Sequence, residues 1–189
     1  MLRMKRLFDL FILILVLPLI FFPAVMAALV VVVVSGFPIL YWSDRVGKNG
    51  ELFRMPKFRT MLVNTPVVAT DQLNNPASYL IPMGSLMRKL SLDEFPQLWT
   101  ILIGKMSFVG PRPALFNQHQ LIQDRSALGI DSLLPGLTGW AQVNGRDELS
   151  DQEKVAYDYE YLQNQSLLMD IKIIWLTVLK VIKRDGVSH

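Results

Sequence analysis

Residues Leu7–Val34 read LFDLFILILVLPLIFFPAVMAALVVVVV, an apolar run whose only charge is Asp9. As a straight helix it would measure roughly 42 Å at 1.5 Å per residue, against a bilayer hydrocarbon core of roughly 30 Å. The apolar part of a secretory leader is roughly 7–15 residues and ends at a small-residue cleavage site. This run is longer, and no convincing Ala-x-Ala site follows it. A buried strand accounts for Val30 to Val34 in isolation but not for the whole run. The stretch therefore reads as a membrane segment. Pro18 and Pro23 fall in its middle, where each removes a backbone donor and favours a kink. Arg3, Lys5 and Arg6 precede it, and Arg45 and Lys48 follow. A spanning helix would put one of these basic flanks outside, against the positive-inside tendency. A re-entrant helix keeps both on one face and is the preferred reading, with a spanning helix as the alternative.

Composition agrees with a membrane-bound chain. The 189 residues suit one domain with a real core. A hydrophobic fraction of 51% is high for a wholly soluble protein. The formal charge is only +3, yet basic residues gather beside the apolar run and near the C-terminus, which suits an anionic membrane surface and not a nucleic acid. There is no cysteine, so a disulfide framework and a thiol nucleophile are both excluded. Zinc-ligand spacings are also missing.

Outward from the apolar run, Ser35-Gly36-Phe37-Pro38 is a turn signal. Ile39–Trp42 and Leu52–Thr60 read as extended pieces of a small hairpin around Gly47-Lys48-Asn49-Gly50. Lys57 and Arg59 share one face of it, either as a solvated strand face or as phosphate contacts. Leu62 to Pro82 reads as a loop, and Met83 to Lys89 as a short helix that delivers Arg88. Gln97 to Ile103 is apolar nearly all round and is assigned mostly to the core, with the lipid interface as the alternative. Phe116 to Ala127 reads as a polar helix carrying an exposed His119. Pro135 to Arg146 has three glycines and reads as a structured loop that lacks the Gly-x-x-x-x-Gly-Lys phosphate pattern. Ser150 to Asn164 reads as a helix containing Asp158. Leu167 to Arg184 is a basic amphipathic helix with Trp175, expected to lie at the membrane interface, or else to pack as a core helix.

The chemistry concentrates in Arg88 to Pro113. Asp93 and Glu94 are adjacent carboxylates bracketed by Arg88, Lys89, Lys105 and Arg112. Two such acids repel each other and need cations, a metal or a helix N-terminus. One reading is structural, since Ser91-Leu92-Asp93-Glu94 fits the Ser-x-x-Glu capping box. The other is a site for a metal and a phosphorylated substrate. Gly110-Pro111-Arg112-Pro113 is rigid and suits a guanidinium held for bidentate phosphate recognition.

Ser91 to Pro113, Lys57-Phe58-Arg59-Thr60-Met61 and Pro135-Gly136-Leu137-Thr138-Gly139-Trp140-Ala141-Gln142-Val143-Asn144-Gly145-Arg146 together resemble the bacterial monotopic phosphoglycosyl transferases. These are also called bacterial sugar transferases or undecaprenyl-phosphate sugar phosphotransferases. The resemblance runs from about Lys5 to Ser188. It implies an α-rich α+β monotopic membrane protein with a re-entrant helix at residues 1–36 and a catalytic domain at 37–189, the two forming one unit. Interfacial amphipathic helices and a small β-hairpin complete it. The family breaks its anchor at Ser-Pro, matched here by Phe22-Pro23 with Pro18 added. A doubly wound nucleotide fold is not expected, because alternating strand–helix repeats are missing.

The implied reaction moves a phosphosugar from a UDP-sugar to a polyprenyl phosphate such as undecaprenyl phosphate, releasing UMP. The family uses an Asp nucleophile and a covalent phosphosugar intermediate, and that residue maps onto Asp93. Mg²⁺ would be held by Asp93 and Glu94. Arg112, Arg88, Lys57, Arg59 and Arg146 would meet the phosphates, with Asp158 in support. The implied partners are the UDP-sugar, the polyprenyl phosphate and the lipid bilayer, with room for a homodimer and for downstream glycosyltransferases. The implied location is the cytoplasmic face of the bacterial inner membrane, in a minimal catalytic form. A phosphate-ester hydrolase and a non-catalytic scaffold are the alternatives. No stretch reads as a code for the sugar.

Overall fold

The computed structural model describes residues 2–68, 73–145 and 148–183. Pro18 and Pro23 lie inside its first helix, α1 (Leu2–Ser35), rather than ending it. Asp9, Leu13, Ala27 and Val31 are buried, and Val16, Ile20, Ala24 and Ala28 pack beside them. Steps of three and four residues put these on one face, so α1 lies along the body over its whole length. Phe11, Leu15, Leu19, Phe22, Met26, Leu29 and Val33 form the opposite, exposed face, which is entirely apolar. An apolar surface of this extent calls for lipid or protein cover.

Both ends of α1 are tied down by charge. Lys5 Nζ lies 2.7 Å from Asp170, and Arg6 donates to the carbonyls of Ile101 (2.5 Å) and Leu102 (2.6 Å). Asp9 Oδ1 accepts from Ser107 Oγ (2.9 Å) and the Phe108 amide (3.1 Å). At the other end Gly36 takes φ +67°, a left-handed turn that ends the helix at little steric cost.

The expected hairpin is present, with its first strand longer and its second shorter than the sequence signal. Strands β1 (Leu40–Val46) and β2 (Leu52–Phe58) pair antiparallel, with Tyr41 opposite Lys57. Next come α2 (Gly84–Lys89), a 3₁₀ turn at Leu92–Gln97, α3 (Leu98–Leu102) and β3 (Ser107–Val109). The chain then forms α4 (His119–Ala127), β4 (Gly136–Thr138), α5 (Trp140–Asn144), α6 (Asp151–Gln163) and α7 (Leu167–Lys183). The result is an α-rich α+β fold with a long apolar N-terminal helix.

Pro135 to Arg146 is not the structured loop expected from its glycines. It holds β4, which pairs parallel with β3 (Ser107 with Gly136, Val109 with Thr138), and then α5. The glycines serve close backbone contact. A Cβ on Gly110, Gly136 or Gly139 would collide with backbone atoms of the facing segment.

One hydrophobic core gathers Leu13, Met55, Ile101, Phe108, Tyr161 and Ile173. A second gathers Ala27, Val31, Phe58, Ile81 and Met87, and α1 contributes to both. In Gln97–Ile103 only Gln97, Leu98, Thr100 and Ile101 are buried, while Trp99, Leu102 and Ile103 are exposed. On α7, Asp170 and Ile173 face inward and Leu168, Ile171, Trp175 and Val178 face outward. These outward apolar sets are the surfaces expected of interfacial helices.

Asp9→Leu keeps α1 apolar but leaves the buried Phe108 N–H and Ser107 hydroxyl without their acceptor. It should lower stability by about 1–3 kcal/mol, read as an earlier unfolding midpoint of the detergent-solubilised protein. An unchanged midpoint would show that Asp9 does not hold β3.

Candidate active site

The capping-box reading of Ser91 does not hold. Ser91 sits at φ +53° with no side-chain capping bond, whereas an N-cap needs extended backbone. A true capping box forms at Ser150 and Glu153, where Ser150 is extended. The side chain of Glu94 is thus not committed to its own helix start.

It is directed at two cations instead. Lys57 Nζ, at the end of β2, lies 2.9 Å from Glu94 Oε1, and Arg112 Nη2 reaches the same oxygen at 3.2 Å. Lys57 also lies 3.8 Å from Asp93 Oδ2. Asp93 is only 6% exposed. Burial pushes its carboxyl above the usual range and Glu94 adds to this, while Lys57 first and then Arg88 and Arg112 favour the ionised form. Arg88 is carried by α2 and reaches Met61 Sδ at 3.7 Å.

The loop carrying Arg112 is held by its backbone. Gly110 N–H donates to Thr138 O (2.9 Å) and Gly136 N–H to Pro111 O (2.8 Å). Arg125 of α4 donates to Arg112 O at 2.8 Å, and its other nitrogen meets Asp158 Oδ2 at 2.6 Å. Asp158 is buried, and its ion partner is Arg125 rather than a cation of the Asp93–Glu94 cluster. Through Arg125 it is linked to the backbone of Arg112. Arg125 was not singled out in the sequence, because a lone Arg between Asp124 and Ser126 on a polar helix looks solvated.

Arg59 is not brought to the carboxylates. It is 4% exposed and its Nη2 donates to Ser35 O, Ser35 Oγ and Gly36 O at 2.6–2.8 Å, satisfying the last carbonyls of α1. Arg146 lies outside the described residues. His119 is exposed on α4.

A groove of about 240 Å³ opens beside the cluster. Glu94, Arg112, Lys89 and Lys180 line its charged part, while Ile20 of α1, Leu137, and Ile174 and Val178 of α7 give it apolar walls. Among the described residues no three His, Cys, Asp or Glu side chains converge as a metal cage. Two adjacent carboxylates do suit a magnesium ion that takes its remaining ligands from phosphate and water, the usual mode for this ion. The arrangement can bind a diphosphate next to a buried carboxylate.

Residues 1–184 match the family model of the bacterial sugar transferases. The exopolysaccharide production protein ExoY of Sinorhizobium fredii is 40% identical over 159 residues, covering 76% of this chain and 70% of that protein. The UDP-glucose:undecaprenyl-phosphate glucose-1-phosphate transferase of Escherichia coli is 40% identical over 162 residues, covering 81% of this chain and 34% of that protein. The undecaprenyl-phosphate galactose phosphotransferase of Salmonella typhimurium is 36% identical over 170 residues, covering 80% and 35%. The chain thus spans about a third of the last two relatives.

Asp158→Leu strands a buried guanidinium and should cost about 3–5 kcal/mol. Adding Arg125→Met should restore most of that stability in thermal unfolding. Additive losses in the double variant would refute the pairing.

Proposed function

This chain belongs to the bacterial sugar transferase family, and we propose that it transfers a sugar 1-phosphate from a UDP-sugar to undecaprenyl phosphate, releasing UMP. The observation that carries this reading is buried Asp93 beside Glu94, with Lys57 near both and Arg112 on Glu94, where Glu94 and Arg112 line a groove walled by α1 and α7. The names of the two enzymes from E. coli and S. typhimurium support the substrate classes.

The nucleophile is Asp93. Glu94 is engaged by Lys57 and Arg112 at 2.9 and 3.2 Å, which lowers its nucleophilicity, whereas Lys57 lies 3.8 Å from Asp93. An Asp93 oxygen attacks the phosphorus that bears the sugar. The bond from that phosphorus to the bridging oxygen breaks, and UMP leaves with the electron pair. The phosphosugar is then held on Asp93 as an acyl phosphate. An oxygen of the lipid phosphate attacks the same phosphorus and expels the Asp93 carboxylate, giving the diphosphate-linked sugar. Splitting one transfer into two displacements is the general use of a covalent intermediate.

Lys57 favours the ionised state of Asp93, and Arg112 and Arg88 offset the negative charge of the diphosphate as it is attacked. Asp93 and Glu94 would hold Mg²⁺, which when bound neutralises phosphate charge. The chain's place is the cytoplasmic face of the bacterial cytoplasmic membrane, with α1 re-entrant. Attachment of both halves of α1 to one body supports this.

UMP release with undecaprenyl phosphate and Mg²⁺ should fall at least a thousandfold in Asp93→Asn, and chelation by EDTA should abolish it in the wild type. Equal release without lipid would indicate hydrolysis instead.

Because the chain has no cysteine, single cysteines at Arg3 and Lys48 give a clean test of topology. Both should react with a membrane-impermeant maleimide in inverted vesicles and neither in right-side-out ones. Labelling from opposite faces would establish a spanning α1.

A further inference from the structure

Among the residues lining the groove, Gln142 of α5 is 9% exposed, and neither Oε1 nor Nε2 has a hydrogen-bond partner among the described residues. A buried amide left unpaired costs about 1–3 kcal/mol for each unmet group. Native chains rarely carry that cost without a reason such as a ligand. The side chain is also built into position. A Cβ on Gly139 would collide with Gly110 O and would come within 2.7 Å of Gln142 Oε1, so the amide oxygen packs where glycine leaves room. Gly110 is two residues before Arg112, which ties Gln142 to the phosphate end of the groove.

Its neighbours do not satisfy it. Thr177 donates its hydroxyl hydrogen to Ile173 O at 2.8 Å. Thr138 must therefore be the donor in the 2.7 Å bond between the two threonines, and its oxygen keeps acceptor capacity. Leu137, Val143 and Ile174 complete an apolar surround.

We propose that Gln142 is a specificity-determining residue that reads the hydroxyl groups of the donor's sugar, an assignment that rests on the sugar 1-phosphate transfer described above. The amide needs a partner that donates and accepts. A phosphate only accepts, and a prenyl chain does neither. Sugar hydroxyls do both. A uracil imide also does both, but a ribose and a second phosphate separate it from the phosphorus under attack, whereas the sugar is joined to that phosphorus.

The test uses the full chain in nanodiscs with Mg²⁺, undecaprenyl phosphate, and UDP-glucose, UDP-galactose, UDP-N-acetylglucosamine and UDP-N-acetylgalactosamine. Gln142→Leu should reduce the kcat/KM ratio of the preferred over the next sugar at least tenfold, as expected when a site built to hydrogen-bond a hydroxyl loses its partner. Inhibition by UMP, which has no sugar, and KM for the lipid should stay within twofold. An equal fall for every sugar, weakened UMP inhibition, or a raised lipid KM would each overturn the assignment. Should Gln142→Leu fail to fold, Gln142→Asn keeps the amide one methylene short and should give a smaller loss of the same ratio; an unchanged ratio overturns it. If the wild type turns over no sugar, the transfer reading fails by itself. Calorimetry then decides for Gln142: wild type should bind one of these UDP-sugars tighter than UDP and Gln142→Leu should not, while equal preference in both overturns the assignment.

Discussion

Everything around the candidate site depends on two backbones meeting with no side chain between them. Gly110, Gly136 and Gly139 allow the segment after β3 and the segment around β4 to lie in direct contact, where any Cβ would collide. That contact forms the Gly110–Thr138 and Gly136–Pro111 hydrogen bonds and so fixes the start of the Pro-Arg-Pro loop. Arg125, held by Asp158, grips the same loop from the other side through Arg112 O. A guanidinium on a long flexible stem thus gains a rigid base. Preorganised charge of this kind stabilises a reacting phosphate without rearrangement during the reaction.

The second constraint is the dual use of α1. One face supplies Leu13 to one core and Ala27 and Val31 to the other, while the opposite face is apolar and exposed. The basic residues near its start, which in the sequence suit lipid headgroups, partly serve the protein: Lys5 meets Asp170, and Arg6 caps carbonyls at the end of α3. Asp9, the one charge within the apolar run, is bonded to β3 next to the Pro-Arg-Pro loop. The exposed apolar sides of α3 and α7 extend the surface available to lipid.

Features written in local pattern were legible in the sequence. The apolar run, the Gly-Lys-Asn-Gly turn of the hairpin, the amphipathic α7 and the acidic pair among cations each show within a short window. Features that rest on distant partners were not. β3 and β4 are three residues each, too short for an alternating pattern, and their pairing joins segments far apart in the chain. Glycines that mark a loop by composition here mark close packing. Arg59 alternates with Lys57 in the sequence but lies just past β2 and turns to the end of α1, a partner no nearby residue announces. Ser91 and Glu94 match the capping spacing, yet the left-handed turn at Ser91 cancels it. Gln142 lay within a recognised block, but nothing local distinguishes an unpaired amide from a satisfied one.

The ion pair between Lys5 and Asp170 joins residues 165 positions apart. During synthesis the first helix leaves the ribosome long before its partner on α7 exists. Its inward face, including the Asp9 carboxylate, must wait while the rest of the body is made. The order of translation therefore leaves the apolar surface of α1 uncovered until the body can close onto it. The ion pair that locks α1 to the body can form only after α7 has been made.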